Sequence, residues 1–257
     1  MREEHKAREK EILANRAMVS TEPDTKETET KQYDTIQITV LLRIVRFFFA
    51  FLSQILVTAC LQFLAPSFAV HMQRYGFSPA FIGLCFAVPG IIYAALSPLM
   101  YLMTERLRKR AVIILGIFLM SFGMFCVGTS KYFGLENNPA LIMFGLMVIG
   151  VSAGMISIPV LPEMLEAIEQ TPEVNYNAEE LENYISGVFV ICTGLGEAIG
   201  PTLSSTLNEA YGFRIAQDIF AGFCLLLALV YFCSVGHFRL CYRRRKRKPI
   251  EAGSKSF

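Results

Sequence analysis

The chain is short of charge, and neither sign dominates what charge it has. Only 18% of its 257 residues are Asp, Glu, Lys or Arg, and the formal net charge is +2. Soluble domains carry about 25% charged residues. A balance this close to neutral gives no support to whole-chain binding of nucleic acid. There are three histidines, and no Cys/His pair has metal-ligand spacing, so neither a metal site nor a cofactor is expected. No nucleophile–base pair and no phosphate-cradling glycine loop is visible, which argues against an enzyme. The first 35 residues are polar and mixed in charge, so they contain no cleavable signal peptide. Cysteine is present, but not as a disulfide framework. Cys60, Cys85, Cys126, Cys192, Cys224 and Cys233 fall inside apolar runs and read as small hydrophobes. Cys241, beside a basic cluster, reads as a solvated tail cysteine, with palmitoylation as the alternative.

What the chain does have is long uncharged stretches. Apolar runs occupy residues 47–70, 79–103, 111–130, 139–162, 183–207 and 219–238. The first, 24 residues long, would span roughly 36 Å as a helix, enough to cross a hydrocarbon core of about 30 Å. Lipid offers no partner to backbone N–H and C=O groups, so such runs must be helices. The expectation is an all-α membrane protein, a bundle of six transmembrane helices. Around it lie a polar region at 1–35 and a basic tail at 241–257. Residues 1–19 read as a solvated helix and 20–34 as disordered.

Lys and Arg set the orientation. With a cytoplasmic N-terminus, the cytoplasmic side holds Arg43, Arg46, Arg106, Arg108, Lys109, Arg110 and the basic run 243–248. The opposite side holds Arg74, Lys131 and Arg214. Both termini are therefore expected in the cytoplasm. The basic tail is expected to bind anionic lipid headgroups.

Few polar side chains interrupt the spans, and these are the candidate site residues. Glu197 lies mid-span in the fifth run. A carboxylate there is costly in lipid, so it is expected to face the bundle interior and a partner or water-filled path, as a proton-coupling or cation-binding acid. Its alternative role is a purely structural hydrogen bond. Glu163 and Glu166, three apart at the end of the fourth run, share a helix face. Glu163 reads as the solvated end of a helix, while Glu166 stays open as a pathway residue. Gln54 and Gln62, about two turns apart, either line a path or bond neighbouring helices. Pro66, Pro159, Gly196, Gly200 and Pro201 are candidate hinges. Gly150-x-x-x-Gly154 and Gly196-x-x-x-Gly200 fit close helix contacts. In the loop Thr104-Glu-Arg-Leu-Arg-Lys-Arg110, Glu105, Arg106, Lys109 and Arg110 could lock two helix ends by charge-assisted hydrogen bonds. Positive-inside bias alone also explains that loop.

Three segments carry a family resemblance. They are Leu64-Ala-Pro-Ser-Phe-Ala-Val-His71 with Tyr75-Gly-Phe-Ser-Pro-Ala-Phe-Ile-Gly83, then Ser97-Pro-Leu-Met-Tyr-Leu-Met-Thr-Glu-Arg-Leu-Arg-Lys-Arg110, then Gly196-Glu-Ala-Ile-Gly-Pro201 with Tyr211-Gly-Phe213. Over residues 36–240 the chain resembles the C-terminal six-helix half of the major facilitator superfamily. The nearest likenesses are to vesicular amine and polyamine transporters and drug:proton antiporters. Tyr101 and Arg108 stand where the family's loop motif has glycines, and Ala65 where many members carry an acid. Glu166 falls where vesicular amine transporters are acidic. Their next acid would fall at Val190, one to two turns before Glu197.

The resemblance implies secondary active transport of a small organic solute by alternating access, with a cationic amine exchanged for protons as the nearest example. It also implies that residues 1–35 are a linker between two halves. The chain then needs a second six-helix half, or a homodimer, or is a piece of a twelve-span protein. The membrane concerned stays open between vesicular, lysosomal and plasma. The alternative class is a non-transporting membrane protein that assembles with or regulates a partner transporter.

Overall fold

The structure is a computed structural model and describes residues 38–74, 76–128, 139–170 and 178–246. The polar region 1–35, Lys131 and residues 247–257 of the basic tail lie outside the described residues. After a single helical turn at Ile38–Leu41 come six long helices. These are α1 (Val45–Arg74), α2 (Pro79–Arg106), α3 (Lys109–Gly128), α4 (Pro139–Glu169), α5 (Ala178–Tyr211) and α6 (Phe213–Lys246). Every one has a stretch long and apolar enough to cross a bilayer. The chain is therefore an integral, multi-pass membrane protein built on helices. The helices outrun the apolar runs at most ends, because helical hydrogen bonding continues into the polar flanks. α5 begins five residues before its apolar run, at an acidic turn containing Glu179 and Glu180 that suits a helix N-terminus. α6 continues through the basic residues to Lys246.

Local chemistry sets several of the ends. Ser78 caps α2, its hydroxyl accepting from the Phe81 N–H, with Pro79 in the first turn, where a missing N–H costs nothing. α5 and α6 are joined by Gly212 alone, at φ +80°. That left-handed conformation favours glycine and reverses the chain in one residue.

The main packing joins one pair of sequence neighbours and several distant pairs. The most extensive contacts join α3 to α4 and α1 to α5, followed by α3 with α6, α2 with α4, and α1 with α4. α1, α3 and α4 thus form the middle of the bundle. Rings from α1 and α6 meet across it, with Phe49 stacked on Tyr231 at 4.7 Å and Phe63 against Phe220 at 4.5 Å between centroids. α2 and α5 are the edge helices and bury the smallest share of their central residues.

Glycine permits two of these approaches. A side chain at Gly196 would meet Thr58 and, at 2.6 Å, the carbonyl oxygen of Ile55. One at Gly200 would meet the Ala59 carbonyl oxygen at 2.6 Å. α5 therefore lies against the bare backbone of α1, a close fit suited to a lipid setting where small residues let helices approach. Gly150 plays the same part between α4 and Pro89 of α2, whereas at Gly154 the nearest atom would lie 3.5 Å away, at ordinary contact.

Candidate functional site: an ion cluster and a polar seam

At the end of the bundle where α1, α3 and α5 begin and α4 ends, charged side chains converge. Arg46 opens α1 and donates from Nε and Nη2 to one carboxylate oxygen of Glu163, at 3.1 and 2.9 Å. Arg110 of α3 donates its Nε to the same oxygen at 3.0 Å. Lys109 donates to Glu166 at 2.9 Å. Arg46 reaches on to Gln170 at 2.5 Å and lies 3.6 Å from Glu166. Glu163 is 1% exposed. It is not the solvated helix end expected from its sequence. It follows Pro162 on a face of α4 that turns inward between α1 and α3, so both guanidinium groups approach it at once. Charge-assisted bonds of this kind are the strong ones. A carboxylate so deeply buried persists only because it is paired on two sides.

Lys109 and Arg110, expected in a loop lock, take part in this cluster, but their partners come from α4. Glu105 and Arg106 sit exposed at the end of α2, and no ion pair among the described residues includes them. The cluster's position explains what it can do chemically. It ties three helix ends into one network in a region where single exposed ion pairs would contribute little.

The second group of polar side chains follows the α1–α5 seam. Gln54 is buried and donates from Nε2 to Thr193 Oγ1 at 3.3 Å, while its Oε1 has no partner. Gln62, half-buried, borders Gly200. Further along, Ser204 donates to Ser67 at 2.9 Å, both buried. Glu197 lies one turn beyond Thr193, yet its side chain is exposed and makes no hydrogen bond or ion pair among the described residues. This differs from the inward placement expected for it. The buried stripe of α5 runs through Ile185, Val188, Cys192, Gly196 and Gly200. The residue after Gly196 projects about 100° away from that stripe. It therefore emerges on the flank of the seam, together with Asn183, Gly187, Gly194 and Asn208 at helical spacing.

Among the pathway candidates, then, Gln54, Gln62 and Glu197 share one seam and Glu166 does not. Arg46, which contacts Glu166, lies eight residues before Gln54 on α1, roughly 12 Å along the helix. Of the hinge candidates, Gly196 and Gly200 are close-packed on α1, Pro201 lies beside them, and Pro66 and Pro159 fall inside α1 and α4. Arg46, Gln170 and Thr193 were not picked out from sequence. Arg46 had a usable signal, a cation one residue before an uncharged run. Thr193 had none.

Comparison with known proteins agrees with this architecture. The family model for the Major Facilitator Superfamily matches residues 48–256. The chain is 30% identical over 201 residues to the human MFS-type transporter SLC18B1, covering 76% of this chain and 42% of that protein. It is 28% identical over 163 residues to the mouse protein of the same name, covering 62% of this chain and 35% of that one. The chain thus spans about two fifths of the length of these relatives. With six apolar helices, a family match over most of its length and these relatives, the chain belongs to the major facilitator superfamily.

Proposed function

We propose that the chain forms one half of a secondary active transporter, and that the α5 flank bearing Glu197 is one wall of its substrate path. The observation that carries this reading is Glu197 itself. It is an exposed carboxylate, without a partner among the described residues, near the middle of a 34-residue apolar helix. A charge facing acyl chains at that depth costs several kcal/mol, about 2.5–3.5 even on the mildest scales. Residues of this kind normally face water or a polar partner. The flank around it carries Asn183, Gly187, Gly194 and Asn208 beside the exposed Val190, and α5 is the least apolar of the six spans. Both features suit a surface turned toward a second six-helix half, or a second copy of this chain, across an aqueous path.

On this reading Glu197 attracts the solute or exchanges a proton, and the spare acceptor of Gln54 adds a hydrogen bond. The solute is a small organic cation, an amine, exchanged for protons. The naming of the relatives as transporters supports transport, and the carboxylate supports a cationic solute. Alternating access is expected to move the bundle about Pro66, Pro159 and the Gly196–Gly200–Pro201 segment, with the Arg46–Glu163–Arg110 cluster holding one end shut in one state. Both termini lie on the cytoplasmic side, by the excess of Lys and Arg at that end. No catalytic role is proposed.

The test is uptake. The full chain is reconstituted in liposomes with an inside-acid gradient and offered radiolabelled monoamines and polyamines. The expected result is gradient-driven accumulation that Glu197→Gln reduces at least tenfold while the protein stays folded. Accumulation that Glu197→Gln leaves unchanged would overturn the role given to Glu197. Accumulation that is absent both from the chain alone and from the chain co-reconstituted with a second six-helix half would favour a non-transporting partner protein.

A further inference from the structure

Three consecutive cations, Arg108, Lys109 and Arg110, end the α2–α3 connection and open α3. Directly below them a cavity of about 830 Å³ opens between α3, α6 and the end of α4. Its rim is polar and its wall is not. Ala111, Leu115 and Phe118 descend α3 at helical spacing, and Phe232 of α6 faces them. Leu115 is 55% and Phe232 60% exposed. The seven residue steps of α3 from Ala111 to Phe118 measure roughly 10 Å along the axis. The groove thus runs from the charged end of the spans into hydrocarbon depth.

Charge at the rim is unevenly spent. Glu163 and Glu166 are matched by Arg46, Lys109 and Arg110. Arg108 borders the cavity and enters no ion pair among the described residues. Glu105, the remaining acid at the rim, is exposed. The rim therefore offers a cation, with further N–H donors of Lys109 and Arg110 beside it, at the mouth of an apolar trough.

We propose that this groove is a binding site for an anionic phospholipid, its headgroup phosphate on Arg108 and the adjoining donors and one acyl chain along Leu115, Phe118 and Phe232. The site is separate from the α1–α5 seam and does not rest on the transport reading. Charge complementarity names the occupant: a zwitterionic lipid would gain little from Arg108, and a free anion would leave the apolar wall uncovered. A bound lipid also sits against the ion cluster that ties α1, α3 and α4. Anionic lipid would therefore stabilise that end of the bundle.

Native mass spectrometry of the purified full chain tests this, with short-chain phosphatidylglycerol titrated against phosphatidylcholine of the same acyl length. One Lys or Arg beside an anionic lipid is worth about a fivefold preference. The expected result is about fivefold tighter binding of phosphatidylglycerol, reduced to near parity by Arg108→Ala. Ala111→Trp, which fills the trough without touching a charge, is expected to weaken both lipids. Equal binding of the two lipids by the unmodified chain would overturn the proposal. So would a preference that survives both substitutions, which would assign it to the basic run 243–248. Displacement of phosphatidylglycerol by an equal concentration of inorganic phosphate would also overturn it, since the acyl chain would then contribute nothing.

Discussion

Glu163 and Glu197 are both carboxylates on apolar helices, and the fold treats them in opposite ways. Glu163 is almost fully buried and accepts from two guanidinium groups. Glu197 is exposed, on a helix that shields little of itself, with no partner among the described residues. The first acid is complete within the six helices. The second has no such partner among the described residues; on the proposed reading, a polar surface against α5 supplies one. A paired acid is therefore read as structure and an unpaired one as a surface in use.

The contrast can be broken at the Glu163 side with the largest effect. Glu163→Ala takes from Arg110 its carboxylate and leaves Arg46 only Glu166, 3.6 Å away, and removing one member of a buried ion pair costs about 3–5 kcal/mol. Thermal unfolding in detergent should show a drop of many degrees or a failure to purify as a monodisperse species. Glu163→Gln should be milder but still clearly destabilised.

A smaller effect is expected where α5 meets α1. Gly196→Val places methyl groups on the Ile55 carbonyl and Thr58, and overpacking of this kind costs about 1–3 kcal/mol. It should lower thermal stability and, by displacing α5, impair any function of the Glu197 flank. Glu197→Gln sharpens the comparison from the other side. With no partner to lose among the described residues, it should shift stability by less than about 0.5 kcal/mol, so that any loss of uptake is separable from loss of fold. Lys109→Ala should also do little to stability. Its pair with Glu166 is about a third exposed on both sides, and such pairs contribute roughly 0–1 kcal/mol. A large loss there would show that the cluster acts as one cooperative network.

The six spans were legible because hydrocarbon depth and backbone hydrogen bonding leave long apolar runs one outcome. Gly196 and Gly200 were legible as contact residues because a small-residue repeat has few other uses in lipid. The partners of the charges were not legible. Arg46 and Glu163 are 117 residues apart, and no local pattern states that α1 and α4 bring them together. The loop Glu105–Arg110 invited a lock within itself, yet α3's register turns Lys109 and Arg110 toward α4. The side of α5 on which Glu197 emerges was equally hidden. It depends on which stripe packs on α1, and the two glycines decide that only once the neighbouring helix is known.

The most direct measurement is solvent access at Glu197 in the intact membrane. Glu197→Cys and, as a lipid-facing reference, Phe122→Cys on the outer face of α3 would be reacted with a charged, water-soluble maleimide. The account predicts that the cysteine at 197 reacts much faster than the one at 122, at least tenfold, and that the amine solute slows it. Equal and negligible reaction at both positions would place Glu197 against lipid or sealed protein and contradict an aqueous path along α5.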